Sequence, residues 1–134
     1  MTGVSQNVEV VRAMYDAFAR RDSATLLTHL DPSITVYDRP VHPEASVYEG
    51  IEGFMRFAES DWAAFDEVVY EPQDFVASGE YVIVPIRQSG RGKGSDVGIE
   101  ERIVNVWRVR AGKCVELRSY STMEEALEAV ENRG

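Results

Sequence analysis

The stretch Ile103-Val104-Asn105-Val106-Trp107-Arg108-Val109-Arg110-Ala111-Gly112-Lys113-Cys114-Val115-Glu116-Leu117-Arg118-Ser119-Tyr120 decides how the rest of the chain is read. Apolar and polar residues alternate on both sides of Ala111-Gly112, and a period of two marks a half-buried strand. Two such runs around a short glycine turn make an antiparallel hairpin. A two-residue Ala111-Gly112 turn would set Asn105 opposite Arg118 and Trp107 opposite Glu116. A three-residue Arg110-Ala111-Gly112 loop, with Gly112 left-handed in a bulge, sets Asn105 against Leu117, Trp107 against Val115 and Ile103 against Ser119. A slip of one residue exchanges the two faces, so the register that keeps apolar residues together is the one expected. One face then carries Ile103, Asn105, Trp107, Val109, Val115, Leu117, Ser119 and Ser121. The other carries Arg102, Val104, Val106, Arg108, Glu116, Arg118 and Tyr120, a mixture of apolar and pairable charged groups that suits a contact between two copies of the chain.

Working outward, further strands are expected near Glu67–Val76 and Tyr81–Gln88, with the glycine-rich run Gly90–Ser95 as a turn. Upstream the period changes to that of helices. Val4, Val8, Val11, Tyr15 and Phe18 share one helical face, and Ser23 to Leu30 forms a second, shorter helix. Ile34, Val36 and Asp38 form the inward row of a strand, and Arg39 to Tyr48, with two prolines and His42, is a loop. Ile51, Phe54, Ala58, Trp62 and Phe65 mark a third helix, and Thr122 with Glu125 is a capping box opening a fourth. Helices grouped early and strands grouped late indicate an α+β fold, one domain over 1–134, with helices packed on a curved and mostly antiparallel sheet.

The net charge of -9 is uneven: Arg87 to Arg118 holds eight basic residues against four acids. Strong overall acidity argues against a nucleic-acid partner, which needs a continuous basic surface. A single cysteine, Cys114, excludes an intramolecular disulfide and fits a reducing compartment. With neither a signal peptide nor a membrane span legible, a cytoplasmic protein is expected. Asp38, His42 and Glu44 match no familiar metal-ligand spacing, so neither metal nor cofactor is expected.

Asp38 ends an otherwise apolar inward row. A partly desolvated carboxylate has a raised pKa and can act as a base toward an activated C–H; the structural alternative is a cap on the turn into Arg39-Pro40. Asn105 is the one strongly polar side chain between Ile103, Trp107 and Val109. A buried amide requires a partner, and it can donate to a developing oxyanion without exchanging a proton. Tyr15, Phe54, Trp62, Trp107, Leu117 and Ser119 are candidates for the pocket wall, with packing as the ordinary role of the aromatic ones, and His42 for a polar contact over its mouth. Cys114 has no evident base or helix N-terminus beside it and is not expected to be a nucleophile.

Several stretches together resemble the nuclear transport factor 2-like superfamily, in particular its SnoaL-like and ketosteroid-isomerase-like branches. They are Val10 to Phe18, Tyr48-Glu49-Gly50, Val104 to Lys113, and Tyr120 to Leu127. The resemblance implies a cone-shaped α+β barrel enclosing a pocket for a small apolar or carbonyl-bearing molecule, commonly as a homodimer. It places the general base of the isomerase branch at Asp38, aligns that branch's catalytic tyrosine with Met14 rather than Tyr15, and sets Asn105 where relatives carry Asp or His. Epoxide-hydrolase relatives place a carboxylate where this chain has Ser119. Fold does not imply function. The resemblance is therefore compatible with an isomerase- or cyclase-type proton transfer and, alternatively, with a non-catalytic ligand-binding or protein-interaction domain.

Overall fold

The structure, a computed structural model, describes residues 3–37, 47–92 and 98–133. Helices α1 (Gly3–Ala19) and α2 (Ser23–Thr28) lead into strand β1 (Leu30–Tyr37). After β2 (Val47–Glu49), helix α3 (Gly50–Ala64) precedes β3 (Phe65–Pro72), β4 (Val76–Ser78), β5 (Tyr81–Gly92), β6 (Gly98–Arg110) and β7 (Lys113–Tyr120). Helix α4 (Met123–Arg133) follows. The strands form one curved, unclosed sheet in the order β2-β1-β7-β6-β5-β3, with β4 also paired to β5. All pairs are antiparallel except β1 with β7.

The helices arise as their sequences require. Val11, Met14, Tyr15 and Ala17 of α1 are buried, with Val8 and Phe18 half-buried beside them. The Asp22 carboxylate caps α2 by accepting from the Thr25 N–H at 3.2 Å. At α4 the Thr122 hydroxyl accepts from the Glu125 N–H and donates to its carboxylate, both at 3.1 Å. Strand β1 begins at Leu30, earlier than its alternation suggested, because Pro32 sits where the pairing with β7 shifts between Leu30 and Thr35. A proline is tolerated at such an irregularity, where no ladder N–H is required. The single strand expected over 67–76 is interrupted at 73–75, giving β3 and β4 along the same partner.

The central hairpin corrects the expected register. The turn has two residues, Ala111 and Gly112, with φ of +52° and +78°, as a type I′ hairpin requires. A shift between Arg108 and Val109 then leaves Val115 unpaired, so Val109 opposes Cys114 and Arg108 opposes Glu116. Asn105 therefore faces Ser119 rather than Leu117, and Trp107 faces Leu117 rather than Val115. Cys114 replaces Val115 among the inward residues; it is fully buried while Val115 is only half so. The bulge restores the parity that a bare two-residue turn would have lost, so Asn105, Trp107, Leu117 and Ser119 still share a face.

Each face of the sheet has its own core. On the concave side α1 packs over β5, β6 and β7 and α3 over β1, in one core with Val82, Val84, Ile86, Ile103, Trp107 and Leu117. On the other, Ala126 and Val130 of α4 cover Tyr81, Ile83, Val104 and Val106. Val104 and Val106, expected on a surface shared with a second copy, are thus buried under the chain's own last helix.

Candidate functional site

The concave core contains one polar cluster, built from α1 and the central hairpin. Asn105 is the only buried polar or charged residue among those described, 7% exposed. Its Nδ2 donates to the Tyr15 phenol oxygen at 3.0 Å, and Trp107 Nε1 donates to the same oxygen at 2.8 Å. Ser119, directly across the ladder from Asn105, donates its hydroxyl to Asn105 Oδ1 at 2.7 Å. Sheet register explains the grouping: Asn105 and Trp107 lie two apart on one strand, Ser119 opposes the first, and Tyr15 crosses above them from the helix. The Trp107 and Tyr15 rings meet edge to face, 5.7 Å between centroids.

The hydrogens of this cluster can be counted. An indole N–H only donates, so Trp107 always occupies one lone pair of the phenol. Asn105 Oδ1 is turned toward Ser119 and Nδ2 toward Tyr15. The phenol then accepts twice, and its own proton has no acceptor among the described residues. Burial, the main cause, pushes the Tyr15 phenol well above its ordinary value, outweighing the pull of the two donated bonds, so the proton stays in place. A buried donor left unmet costs about 1–3 kcal/mol.

Aromatic rings surround this point. Phe75, from the break between β3 and β4, meets Tyr15 edge-on at 6.3 Å and carries the Arg12 guanidinium over its ring at 4.3 Å. One turn along α1, Phe18 packs between Trp62 of α3 (5.3 Å) and Tyr70 of β3 (4.9 Å). Tyr48 and Phe54 flank Phe57. Phe18, Tyr48, Phe57, Trp62, Tyr70 and Phe75 are only half-buried, and the Trp62 indole N–H is buried without a partner among the described residues.

Of the residues singled out from sequence, Tyr15, Asn105, Trp107 and Ser119 come together in one hydrogen-bonded cluster. Phe54 and Leu117, offered as wall, are buried, 1% and 2% exposed. Trp62 stands in the half-buried aromatic group. Asp38 and His42 lie outside the described residues; Asp38 directly follows β1, where Ile34 and Val36 are buried. Phe18, Tyr70 and Phe75 were missed. The alternation around Tyr70 could have indicated it, whereas nothing local marks Phe75, which lies in the strand break. Burial pushes the Cys114 thiol up to about 12, which removes thiolate chemistry at neutral pH. No described helix is long and apolar enough to cross a membrane.

Comparison with known proteins agrees with this architecture. Among solved structures, a nuclear transport factor 2-like protein from Burkholderia xenovorans LB400 is 27% identical, with 94% of this chain and 96% of that one covered and a TM-score of 0.77. A nuclear transport factor 2-like protein of unknown function from Burkholderia pseudomallei K96243 is 22% identical over 96% and 97%, with a TM-score of 0.77. TerC, co-crystallised with polyporic acid, is 19% identical over 94% and 98%, with a TM-score of 0.76. No curated protein matches the sequence. The family model for the SnoaL-like domain matches residues 11–117, most of the helix-and-sheet framework that carries the Tyr15–Asn105–Trp107–Ser119 cluster, and the chain belongs to that family.

Proposed function

We propose that this protein binds a small, largely apolar molecule bearing a carbonyl oxygen, and that the oxygen accepts the phenol proton of Tyr15. One observation carries the reading: a protonated, doubly accepting phenol whose donor has no acceptor among the described residues, set in an apolar interior ringed by half-buried aromatic side chains. A carbonyl oxygen answers that donor, and the aromatic groups answer the apolar body. The polyporic acid held by TerC is consistent with an aromatic, oxygenated ligand on this fold.

In the catalytic form of this reading, Asp38 takes a proton from the carbon next to the carbonyl. The C–H electron pair moves into an enolate, whose oxygen is held by Tyr15 with Asn105 behind it. Return of the proton to another carbon gives an isomer; attack of the enolate carbon on a second carbonyl gives a ring. The test is exchange of the methyl protons of 2-acetonaphthone in D2O, followed by proton NMR. Asp38→Asn should lower the rate at least about 100-fold with an unchanged circular dichroism spectrum. Exchange at the wild-type rate in that variant removes Asp38 from the role.

A non-catalytic binding domain is the second reading, favoured by Asn105 itself, which cannot relay a proton. Wild-type protein that binds the ketone without accelerating its exchange decides for it. A homodimer belongs to either reading. With Val104 and Val106 covered by α4, its contact would use the remaining sheet surface around Tyr37, Glu116 and Arg118, where the Arg118 guanidinium lies 3.6 Å over the Tyr37 ring. Light scattering at micromolar concentration gives the oligomeric state.

A further inference from the structure

We infer that Glu101, with Gln88 and Tyr70 beside it in the sheet, forms a second polar subsite on the concave face, which takes a hydroxyl or ammonium donor at the far end of an elongated aromatic ketone. The ketone end rests on the carbonyl-binding reading above; the donor end rests on β6 itself. Glu100, Glu101 and Arg102 are consecutive charged residues, yet Glu101 is half-buried while its two neighbours are exposed. Alternation accounts for this, because successive side chains of a strand point to opposite faces. The β5–β6 ladder runs from Tyr81–Arg108 to Arg91–Gly98 without a register shift, so Glu101 shares its face with Ile103, Asn105 and Trp107, all of them buried. A carboxylate on such a row gives up hydration that a solvent-facing one keeps, and an apolar residue would continue the row at lower cost.

Register aligns Glu101 with Gln88 of β5 and, through Gln88, with Tyr70 of β3, and each of these is half-buried. A polar row thus crosses β3, β5 and β6. Next to it lies an apolar row, Ile86 with Ile103, and beyond that Asn105 with Ser119. Residues four apart on a strand are separated by about 13 Å, so the two polar rows stand that far apart along β6 with apolar surface between them. Helix α1 follows the same direction: Tyr15 bonds Asn105, and one turn on, Phe18 packs against Tyr70 at 4.9 Å. The arrangement matches a ligand with an aromatic middle and a polar group at each end. A span of that order, less a hydrogen bond at each end, suits a 2,6-disubstituted naphthalene. At the Tyr15 end the protein offers a phenol donor; at the other it offers a carboxylate, which only accepts, so the ligand's second group is a donor. Glu101 also has an interaction within the protein, and a carboxylate has about four acceptor sites, so a ligand's donor adds to that interaction.

The full-length protein is titrated calorimetrically with 6-hydroxy-2-acetonaphthone and with 6-methoxy-2-acetonaphthone, which keeps the shape and the ketone but has no donor at the far end. Wild type should bind the hydroxy ketone about tenfold more tightly. Glu101→Ala should abolish the difference. Glu101→Gln, of the same size, should reduce it to within about twofold, since its amide can donate to the methoxy oxygen. Both variants should keep the wild-type circular dichroism spectrum. Equal affinities in the wild type, or a preference retained in both Glu101 variants, overturns the role given to Glu101. Tyr15→Phe reports separately on the ketone end: it should weaken both compounds alike and leave their ratio unchanged. Weakening there, with a ratio indifferent to Glu101, overturns this inference alone. Unchanged affinities in Tyr15→Phe, with the preference lost in the Glu101 variants, overturns the carbonyl reading and leaves the donor subsite standing. Binding of neither ketone by the wild type overturns both.

Discussion

Cys114 and Tyr15 make the same point at the scale of single residues: burial matters more than residue type. Cys114 is fully buried, and its thiol ionises near 12 instead of the ordinary 9.0. Between those values the folded chain keeps a proton that the unfolded chain has released. Its contribution is therefore fully present below about pH 9 and declines as pH rises toward 12, at about 1.4 kcal/mol per pH unit. From pH 9 to 10.5 the wild type should lose about 2 kcal/mol more unfolding free energy than Cys114→Ala, measured by urea titration at each pH. Equal losses would mean the thiol reaches solvent in the folded state. Tyr15 titrates in the same direction at higher pH in both proteins, so the comparison isolates the cysteine.

Among the elements, the β6–β7 hairpin sets the geometry of the site. Ala111 and Gly112 both have positive φ, a region that costs a side chain-bearing residue about 1–2 kcal/mol. A Cβ on Gly112 would meet nothing within 4 Å, so Gly112→Ala isolates that conformational cost. It should destabilise by about 1 kcal/mol, while Ala111→Gly should stabilise by about 0.5–1 kcal/mol, both read as midpoint changes at constant m-value. Destabilisation by Ala111→Gly would contradict the type I′ geometry. The Val115 bulge has the larger consequence, because it returns Asn105 and Ser119 to one face after a turn that would have separated them.

For the whole molecule, one sheet carries two cores, and α4 closes the face away from the polar cluster. Ending the chain after Thr122 should uncover Tyr81, Ile83, Val104 and Val106 together. Such a patch binds apolar dyes or a second copy, so dye fluorescence and light scattering should both rise. The concave face should persist, with Cys114 still slow to react with a thiol reagent. Absence of dye binding and of association would show that α4 is not what keeps these residues from water.

Local patterning alone determined much of this protein. Helical period, strand alternation and the cap at Thr122 located the helices and the hairpin, because each depends on residues a few positions apart. The same alternation placed Asn105, Trp107 and Ser119 on one face. Only tertiary structure decided that Asn105 pairs with Ser119, since a turn and a bulge contribute jointly to register and alternation reports parity alone. It also decided that Tyr15, 90 residues away in sequence, completes the cluster, and that Val104 and Val106 belong to a second core. Those contacts join segments distant in the chain, and no local period records which helix will cross which strand.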